Sequence, residues 1–232
     1  MEEEIDELFI RRKDNSAFLL TYLNQHGFNI FCENEEYRDW ILNKFYVLQD
    51  GIGIFMFMRF MNKDCVRSVA TDIYDKIFSK ILNCNRYKIA IIGGSEKLHK
   101  TIINHTGIQN IVYHLEGNLS EDFFDKVDTI LRKYNPNLVI VGMGIPLQEK
   151  VALHISQAKD SCSVICVGNF LEFYFGIKKR APILIRNLGL EWLFRLLVEP
   201  KRLWKRYLIG IPKFIFRAVK ISLNKERICL KS

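Results

Sequence analysis

Through the first 175 residues, short apolar runs alternate with longer stretches whose apolar positions recur every three or four residues. Ala17 to Tyr22, Lys88 to Ile92, Leu138 to Val141 and Ser163 to Val167 read as short buried strands bounded by Gly, Asn or Pro. Between them, Val66 to Leu82, Ser95 to Thr106, Ser120 to Tyr134 and Gln148 to Ala158 carry helical spacing. Ser120 is the expected N-cap of its helix, with Asp122 and Asp125 in an acidic first turn. Alternation of this kind predicts an α/β sheet with helices on its faces.

After Gly176 the strand pattern stops. Leu188 to Val198, Pro200 to Leu208 and Pro212 to Leu223 read as three helices, the prolines suiting a first helical turn. Trp192, Leu196, Leu203, Trp204, Leu208, Phe214 and Ile215 are interleaved there with Arg195, Lys201, Arg202, Lys205, Arg206, Lys213 and Arg217. The predicted organisation is an α/β core over 1–175 and a basic, amphipathic, helical appendage over 176–232.

Charge sharpens that division. The net charge is +8, but residues 176–232 hold 15 Lys and Arg against 3 Asp and Glu, so the preceding residues are net negative. A segment so basic seeks phosphate on nucleic acid, lipid or nucleotide sugar. No nucleic-acid recognition motif accompanies it, so any such binding is expected to be non-specific. Met1 to Glu4 is acidic, unlike the start of a signal peptide, and no run of about 18 apolar residues is long enough to span a bilayer. Tyr207 to Phe216 is short and broken by Pro212 and Lys213. The expectation is a cytoplasmic protein that binds the membrane peripherally, with Trp204, Leu208, Phe214 and Ile215 dipping into the interface and Trp192 facing inward.

Six cysteines (Cys32, Cys65, Cys84, Cys162, Cys166 and Cys229) form no CxxC pair, which favours reduced, buried thiols over a metal site. No Asp-x-Asp is present to hold a divalent metal on a sugar-nucleotide diphosphate, so no metal and no cofactor are expected. Cationic side chains and helix dipoles would then stabilise a diphosphate.

Four strand-to-loop junctions carry candidate chemistry. Gly93, Gly94 and Ser95 follow an apolar strand, and Gly142, Gly144, Pro146, Gln148 and Glu149 follow another. Glycine allows close backbone approach and the following helix start favours an anion, so two such turns can share one crevice at the strand ends. Steric need alone also explains such glycines, and helix capping also explains Gln148 and Glu149. Asp50, ahead of Gly51 and Gly53, borders an apolar segment, where an acid can become a base of raised pKa or simply form a turn. Gly168 and Asn169 lead to Lys178, Lys179 and Arg180, a cationic triplet that could meet a diphosphate or face solvent.

In this order the motifs resemble the WecG/TagA/CpsF glycosyltransferases (glycosyltransferase family 26). The most specific parts are Lys179-Arg180-Ala181-Pro182, then Gly189-Leu190-Glu191-Trp192-Leu193-Phe194-Arg195, Glu199-Pro200, Arg202 and Arg206-Tyr207. Thr21 with Asn24, Asp50-Gly51 with Gly53, Gly93-Gly94, and the segment from Gly142 to Glu149 agree upstream. The resemblance implies a Rossmann-like fold and an inverting transfer from a UDP-sugar, commonly of N-acetylmannosamine type, to a polyprenyl-diphosphate-linked sugar.

It also implies Asp50 as general base, with Thr21 and Asn24 beside it and Gly51 in its motif. Gly93, Gly94, Gly144, Gln148 and Glu149 would belong to the substrate site, while Arg180, Arg195, Arg202 and Arg206 close over the diphosphate. Two positions depart from the family pattern. Gly168-Asn169-Phe170-Leu171-Glu172 stands where the family has Gly-Gly-x-Phe-Asp, and Leu147 replaces a lysine. The departures keep open a non-catalytic, basic membrane- or nucleic-acid-binding protein as the alternative. The sequence also leaves a homo-oligomer open.

Overall fold

A computed structural model describes residues 17–61, 69–82, 84–104, 110–117 and 120–223. Met1 to Glu4, Cys65, Cys229, the first residues of the helix expected from Val66 and the end of the one expected to Thr106 lie outside them.

In chain order the elements are β1 (Leu19–Leu23), α1 (Gln25–Glu33), α2 (Glu35–Asn43), β2 (Tyr46–Gln49), α3 (Gly51–Phe60), α4 (Ala70–Ile81), β3 (Ile89–Gly93), α5 (Glu96–Asn104), β4 (Ile111–Leu115), α6 (Phe123–Tyr134), β5 (Leu138–Gly142), α7 (Leu147–Ala158), β6 (Ser163–Cys166), α8 (Phe170–Tyr174), α9 (Ile183–Asn187), α10 (Glu191–Val198), α11 (Pro200–Trp204) and α12 (Gly210–Leu223). A wide turn of π-helix, Lys205–Ile209, joins the last two.

The α/β class expected from the alternation is the class observed. One six-stranded sheet has the order β2-β1-β6-β5-β3-β4, and the pairs β1·β6, β6·β5, β5·β3 and β3·β4 are parallel. Parallel strands are covered on both faces, which is why β3, β5 and β6 read as unbroken apolar runs. Ile89 to Ile92, Leu138 to Val141 and Val164 to Cys166 are fully buried. The two strands that the apolar pattern misses, β2 and β4, are the two edges of the sheet. Edge strands bury less, and Tyr46 is exposed while Ile111, Val112 and Tyr113 are only half-buried.

Helix starts differ from expectation in several places, Glu191 rather than Leu188 opening α10 among them. Asp122 takes the N-cap position of α6; Ser120 lies two residues earlier, its hydroxyl donating to Asp122. Pro200 opens α11 as expected, whereas Pro212 opens no helix: it is the third residue of α12, which continues directly from the π-turn.

By their contacts the described residues fall into two compact units, one from 17–20 with 71–177, the other from 21–70 with 178–223. One boundary between the units falls between Ile177 and Lys178. Residues 21–70, placed by sequence with the core, cluster with the basic segment. The reason is aromatic packing inside that second unit. Phe28 on α1 and Phe57 on α3 meet Phe214 on α12, with Leu23 and Ile54 completing the cluster. Phe214, expected to dip into a membrane, is 6% exposed in this core. Trp204, Leu208 and Ile215 are exposed as expected, while Trp192 is half-buried against Tyr207.

Candidate active site

In the first unit, the strand ends of β3, β5 and β6 crowd together. Gly93 has φ +110°, and a Cβ there would lie 2.6 Å from the backbone carbonyl of Gly142. Only glycine satisfies both the conformation and the approach. Gly144 also has positive φ, yet its Cβ position is open space, so backbone conformation alone selects glycine there.

Gln148 and Glu149 are both 0% exposed. They are not a capping pair, because the N-cap of α7 is Pro146, which has no N–H to receive a Glu149 box contact. Instead, Gln148 Nε2 donates to Glu149 Oε1 at 2.8 Å, and the Gly168 N–H donates to Gln148 Oε1 at 2.9 Å. Gln148 thus ties the loop after β6 to the helix after β5. Glu172, at the departure from the family pattern, accepts a bond from the Ser95 N–H at 3.1 Å and so holds the turn after β3.

Sequence reasoning missed His114 in the same unit. Its Nε2 lies 2.7 Å from the Gly93 carbonyl oxygen, and its Nδ1 lies 2.7 Å from His99 Nδ1. A carbonyl only accepts, so His114 carries its proton on Nε2 and His99 donates from Nδ1. Burial, chiefly, pushes the His114 pKa down and keeps the ring neutral. The support comes from β4 meeting β3 and α5 in space.

The second unit contains a cavity of about 510 Å³. Asn24, Asp50, Gly51 and Arg195 lie on its wall, joined by Gln25, Arg186, Glu191, Trp192 and Tyr207, which were not expected as site residues. Asp50 sits at the N-cap position of α3 in extended backbone, but its side chain makes no cap bond. Its Oδ1 instead accepts from the Ala70 N–H at 3.0 Å, leaving Oδ2 without a hydrogen bond among the described residues. Burial raises its pKa above the ordinary carboxylate value, against the pull of Arg195, the Ala70 N–H and Arg206.

Arg195 is fixed by Glu191, whose Oε1 accepts from Nη2 at 2.5 Å and from Nε at 3.1 Å. Burial would lower the Arg195 pKa, but Glu191 and Asp50 outweigh it and hold the guanidinium charged. Asn24 has a structural duty as well, since its Oδ1 caps α1 by accepting from His26 and Gly27 N–H, each at 3.1 Å. Of the other expected residues, Thr21 is fully buried in β1, and neither it, Arg180 nor Arg202 lies on the cavity wall. Arg202 is exposed and paired with Glu199; Lys178 meets the same carboxylate at 3.1 Å. Arg206 is half-buried and acts on both Asp50 and His26 through its charge.

His26 gives a test of this electrostatic environment. Burial first, and Arg206 second, lower its pKa to about 4, while Glu33 opposes them. The unfolded chain therefore binds a proton that the folded chain rejects between about pH 6.5 and pH 4. Stability from this residue is complete above that window and is lost as pH falls through it. After solvent screening, His26→Gln is expected to retain about 1–2 kcal/mol at pH 4 that the parent loses relative to pH 7. Denaturant unfolding at the two pH values measures it, and equal losses in both proteins would remove His26 as the cause.

An acid of raised pKa, a fixed guanidinium and an apolar wall in one cavity can deprotonate a hydroxyl beside an anion. Residues 1–228 match the glycosyl transferase WecG/TagA/CpsF family. N-acetylglucosaminyldiphosphoundecaprenol N-acetyl-beta-D-mannosaminyltransferases of Staphylococcus aureus strains NCTC 8325 / PS 47 and COL are each 25% identical over 225 residues, covering 95% of this chain and 86% of theirs. The protein of the same name from strain MRSA252 is equally similar. With a match over nearly its whole length, the chain belongs to the WecG/TagA/CpsF family of glycosyl transferases.

Proposed function

We propose that the chain is an inverting, metal-independent transferase that moves a sugar from a UDP-sugar to a polyprenyl-diphosphate-linked acceptor, in the making of a bacterial cell-surface polysaccharide. The donor sugar is of N-acetylmannosamine type or another hexose. The observation that carries this reading is the carboxylate of Asp50, with raised pKa, on a cavity wall shared with the fixed cation Arg195. The names of the relatives, mannosaminyltransferases acting on a diphosphoundecaprenol-linked sugar, support the class of donor and acceptor.

In this mechanism Asp50 takes the proton of the acceptor hydroxyl as it attacks the anomeric carbon from the face opposite UDP. UDP departs as an anion. Arg180, Arg195, Arg202 and Arg206 are assigned to diphosphate charge, and Gly93, Gly94, Gly144, Gln148 and Glu149 to the nucleotide-sugar side. Thr21, Asn24 and Gly51 support the base and its substrate. Metal independence rests on the missing Asp-x-Asp, with cations in its place.

Peripheral attachment at the cytoplasmic face of the membrane is part of the same reading. No helix among the described residues is long and apolar enough to cross a membrane. Trp204, Leu208, Ile209, Ile215 and Phe216 are exposed beside the exposed Lys201, Lys205, Lys213 and Lys220, the composition of an interfacial helical surface. The test is UDP release from a panel of UDP-sugars in EDTA, with and without a prenyl-diphosphate-sugar acceptor. Acceptor-dependent release from one donor is expected; folded protein that stays silent across the panel with lipid present would sink the reading.

A further inference from the structure

The cavity beside Asp50 continues well past the residues that the reaction uses. One wall is a single face of α3, made of Ile52, Met56, Phe57 and Phe60; the opposite wall is a stripe of α12. On α12 the lining positions Ile211, Phe214, Ile215, Ala218, Val219 and Ser222 keep helical spacing. At 1.5 Å per residue, these stripes run roughly 12 Å along α3 and 16 Å along α12. Asp50, Glu191, Arg186 and Arg195 make the cavity polar at the start of α3.

Away from that end its wall is apolar, and part of it is unusually open. Met56 is 63% exposed, Phe60 70% and Val219 50%. Apolar side chains so exposed, lined up in a concave site, mark a place where an apolar ligand belongs. The site is polar at one end, where two guanidinium groups stand among two carboxylates, and apolar along its length, and so complements an amphiphile with a polar head and a hydrocarbon tail.

We propose that the α3–α12 trough is the subsite for the isoprene units next to the diphosphate of the lipid-linked acceptor. The enzyme then recognises lipid as well as sugar, and the tail aligns the acceptor head with Asp50. This inference rests on the acceptor class proposed above.

The test is calorimetric binding of dimethylallyl, geranyl and farnesyl diphosphate to the full chain, without detergent and below any micelle concentration. Affinity is expected to rise at least about tenfold from the shortest to the longest chain. Met56→Glu and Val219→Glu, both at exposed positions, should erase that gain and leave dimethylallyl diphosphate unaffected. Leu184→Glu, an exposed apolar position away from the cavity, should keep the gain.

Equal affinity for all three chains, or a gain that survives Val219→Glu, would overturn the proposal. So would equal loss in Leu184→Glu, which means general surface capture, or an equal loss of UDP binding in Val219→Glu, which means a nucleotide site. Binding is read without a donor, so the two readings fail separately. Length-dependent binding with no transfer removes the reaction and keeps the subsite, whereas transfer with length-independent binding removes the subsite alone.

Discussion

Asp50→Asn is expected to lower kcat by about 10²- to 10⁴-fold while leaving the protein folded and at least as stable as the parent. The two halves of this expectation have one cause. Burial raises the Asp50 pKa, so the folded protein holds the proton more tightly than the unfolded chain does. Stability from this group is therefore full below the ordinary carboxylate range and falls as pH rises through the window up to the folded value. At neutral pH the charged carboxylate costs stability, and asparagine removes that charge. Its carbonyl oxygen can still accept from the Ala70 N–H, so the start of α3 keeps its tether.

Activity runs the opposite way, because a base must be unprotonated. In the parent, kcat/KM should fall as pH drops through the raised Asp50 pKa, and that acid limb should vanish from the residual activity of the variant. A variant with near-normal turnover would remove Asp50 as base. A variant with lost turnover and a clearly lowered Tm would mean that the carboxylate had served the fold instead. Circular dichroism, thermal unfolding and UDP release on the same preparation separate these outcomes.

What the sequence displays well is whatever depends on neighbours along the chain. Buried strands β3, β5 and β6 are legible because each is covered on both faces and so must be continuously apolar. Gly93 and Gly144 are legible because strand-end turns with positive φ select glycine. Asp50 and Arg195 stand in short motifs, and the family pattern named both.

Hidden features depend on partners far away in sequence. Gln148 reads from sequence as a substrate contact or a helix cap; that the Gly168 N–H, twenty residues on, donates to its amide oxygen is not legible there. His114 has no motif at all; its role appears only when β3 and β4 pair. The basic segment misleads in a similar way. Arg217 and Lys213 look available for phosphate, yet both pair with Glu33, and Arg217 Nη1 donates to the Asn29 carbonyl at 2.8 Å. Part of the positive charge thus fastens α12 to α1, and net charge alone overstates what remains for a ligand.

Beside that fastening lies Phe214, where a single change should cost much stability. Its ring meets Phe28 edge-on at 5.2 Å and Phe57 at 6.5 Å, both within the core of the second unit. Gly53, in the first turn of α3, makes room for it, since a Cβ there would come within 3.2 Å of the Phe214 ring. Phe214→Ala is expected to cost about 3–5 kcal/mol, from lost apolar transfer and an unfilled space between three helices. The polar ties Glu33–Lys213 and Glu33–Arg217 cannot compensate, because ion pairs with an exposed partner contribute about 1 kcal/mol or less. Phe216, two residues on and 70% exposed, provides the contrast, and its alanine variant should change stability by about 0.5 kcal/mol or less. Chemical denaturation of both variants measures the difference. Equal, small losses would mean that α12 is not anchored by its aromatic core residue, whereas a large loss confined to Phe214 would make α12 an integral part of its unit.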